Sequence, residues 1–320
     1  MKTDGKRTCL ALKSRRDDSG RFVRDRTSKT RALSAFFCVL LAISGLCLGA
    51  IPVQAQHIHI YAGAVEQTPG APLFFQNADV WDTNSYGGYT ESPACMYLES
   101  NIPNLYPGLY QTATTFVSLP ATIDNGGPSV YAASFGTYIE LRFVSLQGPA
   151  GGVLTVWSEV DDPQNPAVLF TVPAGTANGT NRYNLSEGDP NDPDADPYGH
   201  IHGRRFTLNK PGLYILGLQL VDTSSNGLGG GPVQTPSEIT YFYLQAGLSL
   251  SNFSRSNSIT TARFGLPGFT NYSFQASPTV NGTNWVTIAN ITGSDHSELR
   301  WVTDTNTAPT RFYRLRRATN

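Results

Sequence analysis

The sequence predicts an all-β protein: an antiparallel sandwich or jelly-roll-like domain followed by a second, smaller sandwich. Three observations carry this. Glycine, proline, Asn, Ser and Thr punctuate the chain at short intervals, and runs rich in Val, Ile, Tyr and Phe lie between them. No segment sustains an amphipathic helical pattern over ten residues or more. The last seventy or so residues repeat the strand-and-turn style with a different charge.

Residues 1–55 read as an export leader. Residues 1–31 hold eleven Lys and Arg against four Asp, and an uncharged apolar run follows from Ala32 to Ala50. Val53-Gln54-Ala55 supplies the small residues that signal peptidase needs, so cleavage is expected after Ala55. A retained signal anchor is the other reading, since the run approaches spanning length. Cleavage leaves no membrane span and an exported protein: periplasmic, cell-surface or extracellular. It also leaves Cys95 as the single cysteine, so no disulfide can form within the mature chain.

Beyond the leader the chain carries twenty acids and twelve bases, a net charge of −8. The distribution is uneven: residues 56–247 carry net −12 and residues 248–320 net +4. The sign change places a domain boundary near 248, between a 56–247 domain and a 248–320 module. An acidic body suits cations and disfavours nucleic acid.

Strands are expected at 138–143, 153–157, 213–220 and 239–244, where apolar and β-branched residues cluster or alternate. Within this frame His57-Ile58-His59 and Gly199-His200-Ile201-His202-Gly203 share one spacing, and together they use four of the five histidines. On a strand, residues two apart leave the same face about 6.5–7 Å apart, close enough for two imidazoles to meet one ion. One His-X-His alone is usually a polar strand face. Two of them in a histidine-poor chain point to a nitrogen-rich site that suits Zn²⁺, with Cu²⁺ or Ni²⁺ also accommodated. Asp222 is the expected carboxylate partner. It ends the strand that follows the His200/His202 strand across the Lys210-Pro211-Gly212 turn.

The acidic loop 187–196 offers oxygen ligands for Ca²⁺, though its spacing is not that of an EF-hand, and its prolines equally suit an extended solvated segment. Enzyme alternatives are weighed against metal binding alone. A cupin-like metalloenzyme needs a Glu shortly after the second histidine, where Gly203-Arg204-Arg205-Phe206 stands. A copper oxidase with a chelating N-terminal histidine would need cleavage after Gln56 rather than Ala55. No Gly-X-Ser-X-Gly elbow or Walker loop occurs, and Gly227–Pro232 precedes a strand, as a turn would. A purely structural or adhesive sandwich is the remaining class.

The run Asp196-Pro197-Tyr198-Gly199-His200-Ile201-His202-Gly203-Arg204-Arg205-Phe206, then Lys210-Pro211-Gly212-Leu213-Tyr214 and Val221-Asp222-Thr223-Ser224, resembles a group of secreted bacterial proteins. Many of these carry a PEP-type sorting signal, and some are repressed by the zinc-uptake regulator. It is similar also to an actinobacterial surface-anchored repeat in which a His-X-His strand precedes a Pro-Gly-X-Tyr strand. The resemblance implies zinc handling at the cell surface, with His57, His59, His200 and His202 matching its motif. The chain departs from the group in lacking a terminal hydrophobic sorting helix followed by basic residues. The tail, with Tyr272–Ala276, Trp285 and Arg311-Phe312-Tyr313-Arg314, resembles the immunoglobulin-like modules of secreted bacterial proteins. Such a module implies a structural or interaction role, with a surface polymer or protein as partner.

Overall fold

The structure is a computed structural model that describes residues 59–77, 95–100, 106–112, 115–250, 252–294, 296–308 and 310–318. The expected leader, residues 1–55, and His57 lie outside the described residues. The chain divides into two units, Met1–Ala55 and Gln56–Asn320. Among the described residues no helix is long and apolar enough to cross a membrane.

The second unit is all-β. In chain order its strands are β1 His59–Ala64, β2 Leu73–Phe75, β3 Met96–Leu98, β4 Tyr110–Thr112, β5 Thr115–Ser118, β6 Ile139–Gln147, β7 Val153–Ser158, β8 Ala167–Pro173 and β9 Arg182–Asn184. There follow β10 Arg204–Leu208, β11 Gly212–Asp222, β12 Thr240–Ala246, β13 Asn252–Ser256, β14 Ile259–Leu266, β15 Tyr272–Ser277, β16 Val286–Ile291, β17 Glu298–Asp304 and β18 Phe312–Arg317. A 3₁₀ turn at Ile123–Asn125 interrupts the β pattern.

The described residues up to 246 form three sheets, ordered β2-β1-β5, β4-β10-β7-β8 and β3-β12-β11-β6-β9. Strand β7 shows why: its residues alternate between partial and full burial, so one face is apolar and must be covered. The inner faces of all three sheets meet in one core that includes Ile60, Phe116, Leu154, Phe206, Phe143, Leu216 and Phe242. Aromatic rings join the sheets: Phe116 lies 6.0 Å from Phe206 and 6.2 Å from Phe242, and Phe143 meets Phe206 edge-on at 5.5 Å. Such pairs add about 0.5–1.5 kcal/mol each beyond the area they bury. The arrangement is a sandwich of antiparallel sheets, with two exceptions to the expected pairing. Strands β1 and β5 run parallel, as do β12 and β3.

Strand β11 is nearly all buried because both of its faces are covered. Tyr214, Leu216, Leu218 and Leu220 face the main core. On the other face Leu213 and Ile215 pack with Cys95, Tyr243 and Leu299. Leu299 belongs to the module formed by β13–β18, whose sheets are ordered β13-β14-β17 and β16-β15-β18. That module has its own core of Ala262, Phe264, Leu266, Phe274 and Val302. Phe274 stacks on Tyr313 with centroids 5.3 Å apart. The joint with the larger sandwich is specific: Gly265 N–H donates to the buried Gln245 Oε1 at 2.9 Å, and Arg263 donates to the Tyr243 hydroxyl at 3.1 Å.

Candidate metal centre

His59, of the first histidine pair, opens β1. Its N-terminal end is clamped by Asn77, whose Oδ1 accepts the Tyr61 N–H and whose amide donates to the His59 carbonyl, both at 3.0 Å. Parallel pairing sets His59 opposite Thr115 of β5 and Ala62 opposite Ser118. On the other side of β5, Ser118 bridges to Gly199 in antiparallel sense. Strand β5 is thus the spacer that gathers residues far apart in sequence.

The segment approaching His200 is held at four points. Asp196 accepts the backbone N–H groups of Ala121, Thr122 and Tyr198 at 2.9–3.0 Å and the side chains of Thr122 and Asn125 at 2.6 and 2.9 Å. Burial alone would raise its pKa, but these donors outweigh it and hold the carboxyl below the ordinary value. The hydroxyls of Ser118 and Ser186 both donate to the Pro197 carbonyl. At Gly199 any Cβ would fall on the Leu185 carbonyl, so only glycine fits. The His200 N–H donates to Glu187 Oε1 at 2.8 Å.

Residues 200–203 are not the strand the sequence suggested. β10 begins at Arg204, and Gly203 has φ of +87°, a left-handed conformation that ends the extended run. Beyond it Arg205 forks onto Glu159 at 3.1 and 3.2 Å, and the Tyr106 hydroxyl donates to the same carboxylate at 2.8 Å. Burial and that acceptor push the Tyr106 phenol above its usual range.

Three of the predicted histidines nevertheless meet. The ring centroids of His59 and His200 are 4.8 Å apart, those of His200 and His202 4.4 Å, and those of His59 and His202 6.4 Å. The Nε2 atoms of His59 and His200 are shielded from solvent. Two imidazoles sharing a tetrahedral zinc at about 2.0–2.1 Å would have centroids roughly 5 Å apart; His200 stands near that separation from both His59 and His202, whereas His59 and His202, at 6.4 Å, lie beyond it. The rings pack against one another, two of the three pairs edge-on. Among the described residues, no three or more His, Cys, Asp or Glu converge as a ligand set.

Asp222 is a correction. Its Oδ1 accepts the N–H groups of Tyr138 and Ser224 at 3.1 and 2.9 Å, and its Oδ2 those of Val233 and Gln234 at 2.7 and 2.8 Å. Four donors fill the lone pairs a metal would need. Gln234 in turn bonds the Thr68 carbonyl, beyond the end of β1 opposite His59. The inference from adjacency fails because β10 and β11 belong to different sheets. In the acidic loop, Asp189 and Asp192 accept the N–H groups of Asn191 and Asp194 at 2.9 Å, as turn-forming aspartates do. Sequence reasoning missed Glu187, Asp196, Gly199 and Gly203 as the residues that shape the histidine segment. The two glycines bracketing His-X-His were the readable signal.

No family model matches the chain, and no curated protein does.

Proposed function

We propose that this is an exported bacterial metal-binding protein, with zinc as the first ion to test, that handles the metal at the surface or in the periplasm without catalysing a reaction. His59, His200 and His202 would hold the ion, with His57 as the fourth imidazole. The observation that carries the reading is the meeting of His59 with His200, which no local sequence constraint requires. Support also comes from the acidic body, which raises local cation concentration, and from the charged and apolar halves of residues 1–55. The resemblance to the zinc-regulated secreted group points the same way. A bound Zn²⁺ would tie β1 to the 199–203 segment and supply a Lewis-acid centre of modest affinity. The protein's own part is to bring three imidazoles near one another.

The test is metal analysis of the purified protein after dialysis against Zn²⁺, Cu²⁺ and Ni²⁺ separately. About one Zn²⁺ per chain is expected, abolished by replacing both His200 and His202 with Ala. Undiminished zinc in the double variant would overturn the assignment. Oxygen consumption by a copper-loaded sample would move the protein to the enzyme class.

A further inference from the structure

The C-terminal module carries a basic face that the metal site does not use. In β18, Tyr313 and Leu315 pack into the module core. Alternation therefore turns Phe312, Arg314 and Arg316 to the opposite, outer face. Register places Arg316 beside Ser273, which pairs with Asn290, and Arg314 beside Gln275, which pairs with Thr287. These side chains are locked together. Ser273 Oγ donates to Asn290 Oδ1 at 3.1 Å, and Gln275 Nε2 donates to Thr287 Oγ1 at 3.3 Å. Arg314 is held twice: its guanidinium carbon lies 4.1 Å over the Trp285 ring, and its Nε donates to Gln275 Oε1 at 2.9 Å. That bond uses Nε, so the terminal fork of the guanidinium is the part that can grip a planar carboxylate.

The charge of this face is not cancelled by the module's own described acids. Glu298 and Asp304 are buried and bound to Arg300 and Arg311, at 2.6 and 3.1 Å. What remains is an arginine pre-set by the buried Gln275, a second arginine on its row, the exposed Thr287 and Asn290 beside them, and exposed Phe312 at one end.

We infer that this face binds an anionic polysaccharide of the polyuronate class. Each component has a counterpart in such a chain: guanidinium for carboxylate, amides and hydroxyls for sugar hydroxyls, and Phe312 for the apolar face of a pyranose. Nucleic acid fits less well. Duplex DNA carries one charge per roughly 1.7 Å, and the net −12 of residues 56–247 opposes so dense an anion more than a chain with one carboxylate per sugar ring. The face would retain the protein at an acidic matrix independently of whether the histidines hold metal.

The experiment is affinity electrophoresis of the full chain through gels containing polygalacturonate, neutral dextran or DNA, with sedimentation velocity in parallel. Retardation by polygalacturonate alone is expected, weakening as salt rises. The Arg314→Gln/Arg316→Gln variant should bind at least about tenfold more weakly, the loss of one charge-assisted hydrogen bond. A charge-matched Arg182→Gln/Lys210→Gln variant should bind normally, and circular dichroism checks that both are folded. Equal retardation by dextran or DNA, undiminished binding in the arginine variant, or self-association that this variant abolishes without any polyuronate binding would each overturn the proposal.

Discussion

Gly199 passes so near Leu185 that a methyl group at its Cα would occupy the Leu185 carbonyl oxygen. Backbone on both sides must then move, unlike a clash with a flexible side chain. Gly199→Ala should destabilise the protein by about 1–3 kcal/mol, as overpacking does, and displace His200 from His59. Urea denaturation measures the first effect and zinc stoichiometry the second. A variant of unchanged stability and full zinc content would show that the close approach does not shape the site.

Protonated imidazole cannot ligate a metal. Zinc on His59, His200 and His202 should be released on acidification. Equilibrium dialysis across pH 4 to 8 would show it. Metal that stays bound at pH 4 would sit instead on carboxylates such as those of the 187–196 loop.

Asp196 makes a separate prediction about acid. Its carboxyl is held below the ordinary value, near 3.9, so the stability it contributes is complete above that pH and is lost as pH falls through the lowered folded value. Asp196→Asn should cost about 1.5–3 kcal/mol at pH 7, the range for a hydrogen bond to a charged group. The gap from the native protein should shrink toward pH 2. Chemical denaturation at both pH values tests the sign, and a constant gap would refute it.

Asp222→Ala separates structure from ligation. Removing the carboxylate strands four backbone donors around 138, 224, 233 and 234, so a loss of at least about 1.5–3 kcal/mol is expected. Zinc content of the folded variant should be unchanged. Lost zinc with intact thermal stability would restore Asp222 as a ligand.

Gln245→Ala removes the bond to Gly265 that fixes the module to the larger sandwich. Native unfolding should be one calorimetric transition, and the variant should show two, with the module melting first. A single transition in the variant would mean that the Cys95, Leu213, Tyr243 and Leu299 contacts couple the parts unaided.

The sequence made the sandwich legible because period-two burial is written directly into strands such as β7 and the first half of β6. The charge reversal near residue 248 falls in the passage from β12 to β13, where the chain leaves one set of sheets for another. Spatial convergence of His59 with His200 and His202 could be posed only as a bet on identical spacing. What decides it is the parallel β1–β5 pairing, a long-range register that no local pattern encodes. Asp222 shows the limit from the other side. Its carboxylate looks like a ligand in sequence, but its role is set by backbone N–H groups, which every residue except proline carries and which composition cannot reveal. Strand-like alternation in the sequence runs through His200–His202, whereas β10 begins only at Arg204, after the left-handed Gly203.

Cys95 lies in the cluster that joins module to body, is 1% exposed, and has its thiol pushed well above the usual range by burial and by nearby Glu298. It is the only cysteine after residue 47. Geography and chemistry together make it a silent thiol whose alkylation must wait for the two halves to part. Its labelling rate is therefore a clock for that separation, readable by mass spectrometry without adding any reporter group.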